Sequence, residues 1–481
     1  MNYIPTIGIE VHVELSTRTK MFCGCPHRAL ELGLNQSTCP GCLGFPGALP
    51  AVNEEAVRLG IRAALALHCQ ITDVICFDRK NYMYPDLAKG YQLSQPKSDE
   101  RALGTKGWID IPDKNNGTKR IHIRRVHLEE DTARLIHESG STLLDANRSS
   151  AALMEIVTEP CVHSAEDAEE YVRRLRAILV WNGVSACRIQ RGEMRVEPNI
   201  SVAPEGSSKL GTRVEIKNQA GFQHMHDAIV YEIRRHIEAL DTGTPLIQET
   251  RGYDPERGVT FSQRTKEDAE DYRYFPDPDL PPIAIEKEWI ESERSAMPCE
   301  LDDFLRDFEN ANIGKKECES LIRLDALGFL RIAHSLSGIG LAELTKFLIN
   351  DVFTCVNTYG TLLGDSKLTP ELFAKTVGLS KNGKINSEAV RKILDVLFRE
   401  SGDPDTIASN AGLFRIEDDS LVLEAVEYAL SERPDLVTEY RSGKVAVRNA
   451  LFGLAMKRLA RRGDPAKVSA ILDERLIKDN L

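Results

Sequence analysis

The sequence predicts an α+β protein, in which a mixed α/β domain is followed by domains made only of helices. Up to about residue 290, segments with apolar residues at alternate positions predominate, with a few helical patterns between them. A proline-rich stretch at 275–282 then interrupts regular structure, and the later amphipathic segments have helical periodicity. The length of 481 residues corresponds to about three domains, which we place at 1–293, 294–405 and 406–481.

The composition is that of a globular protein, with 42% hydrophobic and 28% charged residues. Lysine and arginine total 61 against 73 acidic residues, giving a net charge of −12, which disfavours nucleic-acid binding over the whole surface. No stretch approaches the roughly 18 apolar residues of a membrane span, and the first residues show no signal-peptide pattern. We therefore expect a cytoplasmic protein with no membrane partner.

The strand pattern is clearest over Thr6–Leu15, where the odd positions from 7 to 15 are apolar and Glu10, His12 and Glu14 share the opposite face. Further strands are predicted at 120–128, 153–158, 199–202 and 213–217. Within 120–128 the apolar residues change phase, so one extra residue near Arg124 and Arg125 is needed to keep one face buried. This indicates a β-bulge.

Helices are predicted from apolar periodicity together with capping residues. In the N-terminal domain the pattern selects 54–67 and 165–181, the second opened by Ser164 and closed by Gly183. Beyond the proline-rich stretch we predict helices at 301–310, 341–350, 387–399, 418–430 and 443–462.

Four cysteines lie in two close pairs, Cys23 with Cys25 and Cys39 with Cys42. Four thiolates are the ligand set of a tetrahedral structural zinc site, which leaves no open coordination position for catalysis. Because eleven cysteines in a chain without a secretory signal argue against disulfides, we predict a structural Zn²⁺ here.

Acidic and histidine residues recur on the predicted strands. Glu10 and His12 share one strand face, 127–131 reads His-Leu-Glu-Glu-Asp, and Glu155 stands inside an apolar run. A carboxylate in an apolar strand is costly to bury unless it is paired or binds a metal. Convergence of these groups would give a Mg²⁺ site suited to phosphoryl transfer, although His12 suits Mg²⁺ poorly as a direct ligand. Each group taken alone is better explained as a solvated or hydrogen-bonded residue, so the prediction depends on their convergence.

Two segments have features of ligand-binding surfaces. The stretch 78–95 interleaves three tyrosines with basic and amide groups, a pattern that suits base stacking and phosphate binding as well as an ordinary surface turn. The segment 441–467 has eight cations against one carboxylate, a local charge of 8 − 1 = +7. On one continuous helix, four of these cations would fall within an arc of about 80°, a footprint for a phosphate backbone or a solvated basic face: Lys444, Arg448, Arg458 and Arg462.

Taken together, these motifs resemble the GatB family, the B subunits of tRNA-dependent aspartyl/glutamyl amidotransferases. The resemblance runs nearly the whole length, through IGIEVHVEL, LGFPGALPAVN, FDRKNYMYPDLAKGYQLSQ, HLEED, DANRSSAALMEIVTEP, VEPNISV, VEIKN, QETRGYD, DYRYFPDPDLPP and GDPAKVSAIL. It implies an N-terminal cradle domain with ATP-dependent kinase activity, a helical domain and a small YqeY-like tail that binds tRNA. It also implies an amidase-type A subunit, which supplies ammonia from glutamine, and a small C subunit.

The resemblance also implies roles for individual residues. Glu10, His12, Glu155 and either Glu129 or Glu130 would form the magnesium site. Lys217 and Asn218, with Lys89 and Tyr82, would line the site for ATP and the aminoacyl end of tRNA. The residues with implied catalytic roles are Glu10, His12, Lys89, Glu130, Glu155 and Lys217, and the implied cofactors are ATP, Mg²⁺ and structural Zn²⁺.

Some positions depart from the family pattern. Ser150 and Ala152 stand where glycine and proline are usual, Glu197 stands in a segment that usually has aspartate, and Arg134 replaces a lysine. The first two changes favour an alternative, a non-catalytic tRNA-binding scaffold subunit. A zinc-stabilised regulator that acts alone is a second alternative, and the sequence leaves open whether Asp-tRNA(Asn), Glu-tRNA(Gln) or both are substrates.

Overall fold

The computed structural model describes residues 2–27, 32–96, 98–113, 117–217, 221–265, 272–416 and 418–478. The chain divides into two compact units, Met1–Leu301 and Asp302–Leu481. Within the described residues, the first unit combines strands and helices, and the regular elements of the second unit are helices. The α+β prediction is confirmed, whereas the three-domain division remains a prediction.

A large mixed sheet forms the framework of the first unit. Its strands, with those of two smaller two-stranded sheets, are β1 (Tyr3–Glu14), β2 (Gln70–Ile71), β3 (Val74–Ile75), β4 (Asp78–Asn81), β5 (Tyr91–Ser94), β6 (Gly104–Pro112), β7 (Thr118–Glu130), β8 (Arg134–Glu138), β9 (Ser141–Asp145), β10 (Ala152–Thr158), β11 (Met194–Pro204), β12 (Val214–Ile216), β13 (Glu249–Asp254), β14 (Val259–Thr265), β15 (Phe275–Pro276) and β16 (Ile283–Ala284). The large sheet runs in the order β14-β13-β12-β11-β1-β10-β7-β5-β4-β15, with β6 and β2 extending from β7. The central strand β1 is antiparallel to both β10 and β11.

The central strand separates the apolar core from a polar face. Ile7, Ile9, Val11 and Val13 are at most 1% exposed. They belong to the core formed with α1 (Glu54–Ala66), α2 (Ala165–Trp181), α3 (Phe222–Thr242) and α4 (Lys287–Ala296). Since side chains alternate along a strand, Glu10, His12 and Glu14 lie on the opposite face, as predicted.

The predicted bulge in β7 is confirmed. Val157 of β10 pairs with Arg125, but the next residue, Thr158, pairs with Ile123. Arg124 is the extra residue, and it shifts the phase so that Ile121, Ile123, Val126 and Leu128 are all buried.

Both predicted helices of the first unit are also confirmed. The side chain of Asn53 accepts a hydrogen bond from the backbone N–H of Glu55 at the start of α1. The side chain of Ser164 accepts one from Asp167 at the start of α2. These bonds satisfy donors that a helix start leaves without intrahelical partners.

The second unit is built from short helices. They are α5 (Leu301–Asn310), α6 (Lys315–Arg323), α7 (Leu327–Ser337), α8 (Leu341–Phe347), α9 (Phe353–Tyr359), α10 (Pro370–Lys381), α11 (Ser387–Arg399), α12 (Pro404–Asn410), α13 (Asp419–Glu432), α14 (Pro434–Arg441), α15 (Arg448–Arg458) and α16 (Pro465–Lys478). The predicted helix at 341–350 consists of α8 and a π-helical turn at Leu348–Val352. No helix in the described part of the chain is both long and apolar enough to cross a lipid bilayer.

The predicted continuous helix at 443–462 is wrong. A 3₁₀ turn at Val445–Val447 precedes α15, and Ala460 and Arg461 have positive φ angles of 49° and 57°, which end the helical path. Gly443 has a φ of 103°, which also lies outside helical geometry. The cations of this segment therefore do not form one stripe on a single helix.

A buried ionic network joins α3 to the edge of the sheet. Glu232 is fully buried and lies 2.8 Å from Arg235, 3.1 Å from Arg251 and 3.3 Å from His236. It also accepts a short hydrogen bond from Thr260. Burial disfavours the charged form of Glu232, but hydrogen bonds from His236, Arg235 and Thr260 lower its pKa to about 2.

We expect Glu232→Gln to destabilise the protein by about 3 kcal/mol, because the neighbouring guanidinium groups lose their buried counter-charge. The depressed pKa makes this stabilisation present at neutral pH and lost as pH falls from 4.5 towards 2. Unfolding measured between pH 7 and pH 2.5 tests this, with Glu238→Gln on the exposed face of the same helix as control. An equal effect of both variants at pH 7 would contradict the prediction.

Candidate active site and metal centres

The polar face of the central strands gathers one imidazole and four carboxylates. His12 Nε2 lies 3.3 Å from Glu129, 3.6 Å from Glu10 and 3.8 Å from Glu155. Glu197 completes the group, because it lies with Glu10 and His12 in a set whose potential ligand atoms are all within 4.8 Å of one another. We call Glu10, His12, Glu129, Glu155 and Glu197 the carboxylate cluster.

Strand register produces this convergence. Glu10 of β1 is paired with Glu197 of β11, and His12 with Glu155 of β10. Glu155 is in turn paired with His127 of β7, two residues before Glu129. Residues directly opposite one another in antiparallel strands point to the same face, so four neighbouring strands each contribute a carboxylate.

The electrostatics of the cluster centre on His12. Burial disfavours its charged form, but the hydrogen bond to Glu129 and the charges of Glu129, Glu197 and Glu10 raise the pKa of His12 to about 9. Burial likewise opposes ionisation of Glu129, yet His12 holds the pKa of that carboxyl below its usual range. His12 thus acts as an internal cation among the carboxylates.

The remaining carboxylates of the cluster are less well compensated. Burial and the charge of Glu155 raise the pKa of Glu10 to about 7. Burial and the charge of Glu129 also raise the pKa of Glu155. Four carboxylates around one imidazole therefore hold an excess of negative charge in a low-dielectric place.

This donor set suits a divalent cation. Carboxylate oxygens are the preferred ligands of Mg²⁺, and a cation at this place would relieve the repulsion among the four side chains. His12 Nδ1 is buried and has no hydrogen-bond partner among the described residues. A cation bound by the carboxylates would neutralise part of the negative charge that protonated His12 otherwise neutralises.

The two predicted site lysines are ion-paired, and of them Lys217 contacts the cluster, through Glu197. Lys89 Nζ is 2.6 Å from Glu130 Oε2, and the backbone N–H of Leu93 donates to the other oxygen of Glu130. Of the two candidates, Glu129 therefore joins the cluster and Glu130 faces Lys89. Lys217 is 2.8 Å from Glu197 and 3.2 Å from Glu215. The predicted site residue Asn218 lies outside the described residues.

Tyrosines and a further lysine adjoin the cluster. Lys80 Nζ lies 5.7 Å from the ring centroid of Tyr82 and 4.8 Å from that of Tyr272. Burial raises the pKa of Tyr274, and the charges of Glu129 and Glu155 add to this effect. The predicted residue Tyr82 is thus part of an aromatic group that includes Tyr272 and Tyr274, which immediately precede the proline-rich stretch.

Arg125 contacts Glu155 at a different carboxylate oxygen from the one that His12 approaches. Its Nη2 atom is 3.3 Å from Glu155 Oε1, and its Nη1 atom is 3.5 Å from Asp99. The bulge at Arg124 sets the position of Arg125 in the strand. The bulge in β7 therefore contributes to the contact between Arg125 and Glu155.

The four cysteines also come together as predicted. Their sulfur atoms lie within 4.8 Å of one another, close to the spacing of about 3.8 Å between thiolates around a zinc ion. A hydrogen bond from Cys23 and the charge of Lys20 lower the pKa of Cys42 to about 4, while burial raises that of Cys25 to about 11. The donor set fits a structural Zn²⁺.

A buried lysine supports this cysteine group. Lys20 has 0% exposure. Its ammonium lies 2.6 Å from the carbonyl of Ser37, 3.4 Å from that of Ala146 and 3.7 Å from Cys42 Sγ. A buried ammonium needs negative partners, and thiolates bound to zinc would provide them.

The four cations of the tail have partners within their own unit. Lys444 pairs with Glu439 at 2.8 Å. Arg448 donates to Asp473, and Arg462 to the carbonyl of Gly412. Arg458 lies 4.9 Å from the ring of Tyr428 and is exposed. Their role in tRNA binding stays a prediction, without the common helix face.

Several residues of the site were missed by the sequence analysis. Glu197 was noted only as a departure from aspartate, although its place in a strand of alternating apolar residues is the pattern that identified Glu10. Lys80 was part of the tyrosine-rich stretch but was not selected. Identification of Arg125, Lys20 and Tyr274 required the strand register and the packing of the loops, which one sequence does not give.

Fold and site define a class of protein: an α+β chain with a carboxylate centre suited to a divalent cation, a four-cysteine centre, and a helical C-terminal unit. Comparison with known protein families identifies the family to which this class of chain corresponds. Residues 5–291 match the GatB/GatE catalytic domain, and residues 335–476 match the family described as GatB domain.

Relatives that match over nearly their full length support the same family. The B subunit of the aspartyl/glutamyl-tRNA(Asn/Gln) amidotransferase of Persephonella marina is 39% identical, over 99% of this chain and 100% of the relative. The proteins of the same name from Caldicellulosiruptor saccharolyticus and Thermotoga petrophila are 38% and 37% identical, over 99% of this chain and 100% and 99% of their own lengths. The chain belongs to the GatB family.

We expect about one zinc ion per chain in the purified protein after mild chelation, measured by elemental analysis. Lys20→Met should accelerate zinc loss to a chelator, because it removes the cation beside Cys42 and leaves the Ser37 carbonyl without its donor. Lys209→Met, at an exposed lysine, is the control. Zinc far below one per chain in the reduced wild-type protein would contradict the site, and equal loss rates would contradict the role of Lys20.

Proposed function

We propose that this chain carries the ATP-dependent step of tRNA-dependent amidation, as the B subunit of a glutamine-dependent carbon–nitrogen ligase. The substrate would be Glu-tRNA(Gln), Asp-tRNA(Asn) or both, and the products Gln-tRNA(Gln) and Asn-tRNA(Asn). The observation that carries the proposal is the carboxylate cluster, in a chain that belongs to the GatB family. The relatives' name refers to amidotransfer on both tRNAs.

The chemistry explains why ATP is needed. A carboxylate does not exchange oxygen for ammonia, because hydroxide or oxide is a poor leaving group. Attack of the side-chain carboxylate on the γ-phosphorus of ATP forms an oxygen–phosphorus bond and releases ADP. Ammonia then attacks the acyl carbon of the acyl phosphate, forms the carbon–nitrogen bond and displaces inorganic phosphate.

The site supplies groups for the first of these steps. Glu10, Glu129, Glu155 and Glu197 would hold Mg²⁺, which offsets the charge of the transferring phosphoryl group. Lys217 and Arg125 keep Glu197 and Glu155 in place. The half-buried aromatic side chains of Tyr82, Tyr272 and Tyr274 contact one another beside Lys80 and would help to keep water from the acyl phosphate.

The proposal implies partners. The sequence has no Ser/Lys amidase-like stretch, so ammonia would come from an amidase-type A subunit that hydrolyses glutamine. With a small C subunit this would give a heterotrimer that acts on aminoacyl-tRNA in the cytoplasm.

The scaffold alternative is less well supported. Ser150 has a φ of 66°, the left-handed region that favours the glycine usual in the family. Its backbone N–H nevertheless donates to Asp131, and its carbonyl accepts from Met21, at 2.9 Å and 2.8 Å. Ala152 likewise keeps its pairing with Glu130 in the sheet. Neither substitution removes a member of the carboxylate cluster.

Glu155→Gln tests the proposal. Loss of one metal-ligand charge should lower aminoacyl-tRNA-dependent ATP hydrolysis of the assembled complex by about 100-fold or more. Glutaminase activity should persist, because it belongs to the partner. Glu256→Gln, at an exposed turn, is the matched control. Unchanged ATP hydrolysis in a folded Glu155→Gln complex would favour the scaffold alternative.

The tail cations would bind the tRNA backbone. Lys457 and Arg458 are exposed neighbours on α15, whereas Arg448 is bound to Asp473 and Ser469. Residues around α15 have their own apolar cluster, formed with α13 and α16, which supports a separate tail domain at 406–481.

Replacing Lys457 and Arg458 by alanine should weaken tRNA binding and lower the log-log salt slope by roughly one to two units. Turnover at saturating tRNA should change little. Arg448→Ala should instead lower the thermal stability of the tail, since it breaks a half-buried ion pair. A double variant with wild-type affinity and salt slope would show that α15 is only a solvated basic helix.

A further inference from the structure

The lysines of this region, Lys80, Lys89 and Lys217, differ in what binds them. Lys89 is paired with Glu130 at 2.6 Å. Lys217 is paired with Glu197 at 2.8 Å and Glu215 at 3.2 Å. The side-chain ammonium of Lys80 makes no ion pair and no hydrogen bond within the described part of the chain, although its backbone is paired with Gln92 in the sheet. Its positive charge is therefore the one that a ligand can use.

Aromatic rings hold Lys80 in position without neutralising it. Its ammonium lies within 6 Å of the ring centroids of Tyr82 and Tyr272, at 5.7 Å and 4.8 Å, the range of cation–π attraction. The two rings are themselves in edge contact, with centroids 5.7 Å apart. Asn81, next to Lys80, donates its backbone N–H to Tyr272 and its side chain to Arg273, both at 2.9 Å. The lysine and its aromatic support are thus fixed to each other.

The charge of Lys80 reaches the cluster. Burial and Glu129 raise the pKa of Glu155, and the charge of Lys80 is among those that oppose the rise. Lys80 also helps to keep the pKa of Glu129 low, after the larger effects of burial and His12.

Strand register places Lys80 on the face of the cluster. The hydroxyl of Ser94 on β5 donates to Glu129 at 3.2 Å, and Ser94 is paired with Asp78 of β4. Because alternate residues of a strand share a face, Lys80 lies on the same face of the sheet as Asp78, at the side of the cluster.

We propose that Lys80 binds the γ-phosphate of ATP at the side of the carboxylate cluster, which deepens the proposed function and rests on it. A phosphate that approaches four carboxylates needs positive charge beyond the metal ion, and a compact ammonium is a recurrent phosphate ligand. Lys89 and Lys217 are already neutralised by glutamates. Lys80 is positioned by two tyrosine rings, and no carboxylate among the described residues is paired with it.

In the transfer step Lys80 acts through its positive charge and transfers no atom. The substrate carboxylate forms a bond to the γ-phosphorus, the bond from that phosphorus to the β,γ-bridging oxygen breaks, and ADP leaves with the electron pair. Lys80 interacts with the non-bridging oxygens throughout. It therefore contributes both to ATP binding and to stabilising charge in the transition state.

Nucleotide binding to the full chain tests this, by calorimetric titration with Mg·ATP and with Mg·ADP. Lys80→Met should weaken ATP binding by about tenfold to 100-fold, the worth of a hydrogen bond to a charged group, and should change ADP binding less than about twofold. Lys80→Arg should restore part of the preference for ATP. Lys209→Met, at an exposed lysine of the same unit, should match the wild type.

A second measurement covers the reaction. In the assembled complex, Lys80→Met should raise KM for ATP and lower kcat for aminoacyl-tRNA-dependent ATP hydrolysis, with glutaminase activity retained.

Three outcomes would overturn the inference: equal weakening of ATP and ADP binding, unchanged ATP binding, or a loss confined to tRNA affinity. The last would assign Lys80 to the tRNA backbone. If the wild-type chain and complex bind no ATP, the proposed function itself fails. If they bind ATP and Lys80→Met does so equally well, only the role of Lys80 fails.

Discussion

Repulsion among like charges at the centre of a sheet is the constraint on which this structure depends. Four carboxylates converge on His12, and in a place of low dielectric their repulsion is larger than on a surface. The fold resists it through rigid strand pairing, because β1 cannot move its polar face without moving the apolar face that α1, α2 and α3 cover. Arg125 and Lys217 then hold two of the outer carboxylates, Glu155 and Glu197.

The cysteine centre is linked to the carboxylate cluster, because its loop is hydrogen-bonded to residues that immediately precede β10. Ser149 donates its hydroxyl to the carbonyl of Cys42 at 3.0 Å, and Asn147 accepts from the backbone of Ser37 at 2.7 Å. These residues immediately precede β10, which carries Glu155. A metal that fixes the cysteine loop would therefore also fix where this strand begins, although it takes no part in the chemistry.

The sequence was sufficient where one local rule dominates. Alternation along β1 identified the face of Glu10 and His12, and the change of phase in β7 located the bulge at Arg124. The sequence was insufficient where the place of a residue in the site depends on which strand lies next to its own. Glu129 and Glu130 differ only in which face of β7 they occupy, and Glu197 joins the cluster because β11 pairs with β1. In the tail, periodicity continued across 443–462, but positive φ angles at Ala460 and Arg461 break the helix.

The balance of charge also explains why the site needs more than its own residues. Without a metal, protonated His12 is the main cation inside the cluster, and its pKa of about 9 reflects the surrounding carboxylates. Such a site attracts divalent cations but repels phosphate. A phosphorylated ligand can enter only with a metal ion or beside a cation that no glutamate has neutralised. Because Lys89 and Lys217 are paired with glutamates, Lys80, which lies against two tyrosine rings, is the cation beside which we propose that the phosphate charge is placed.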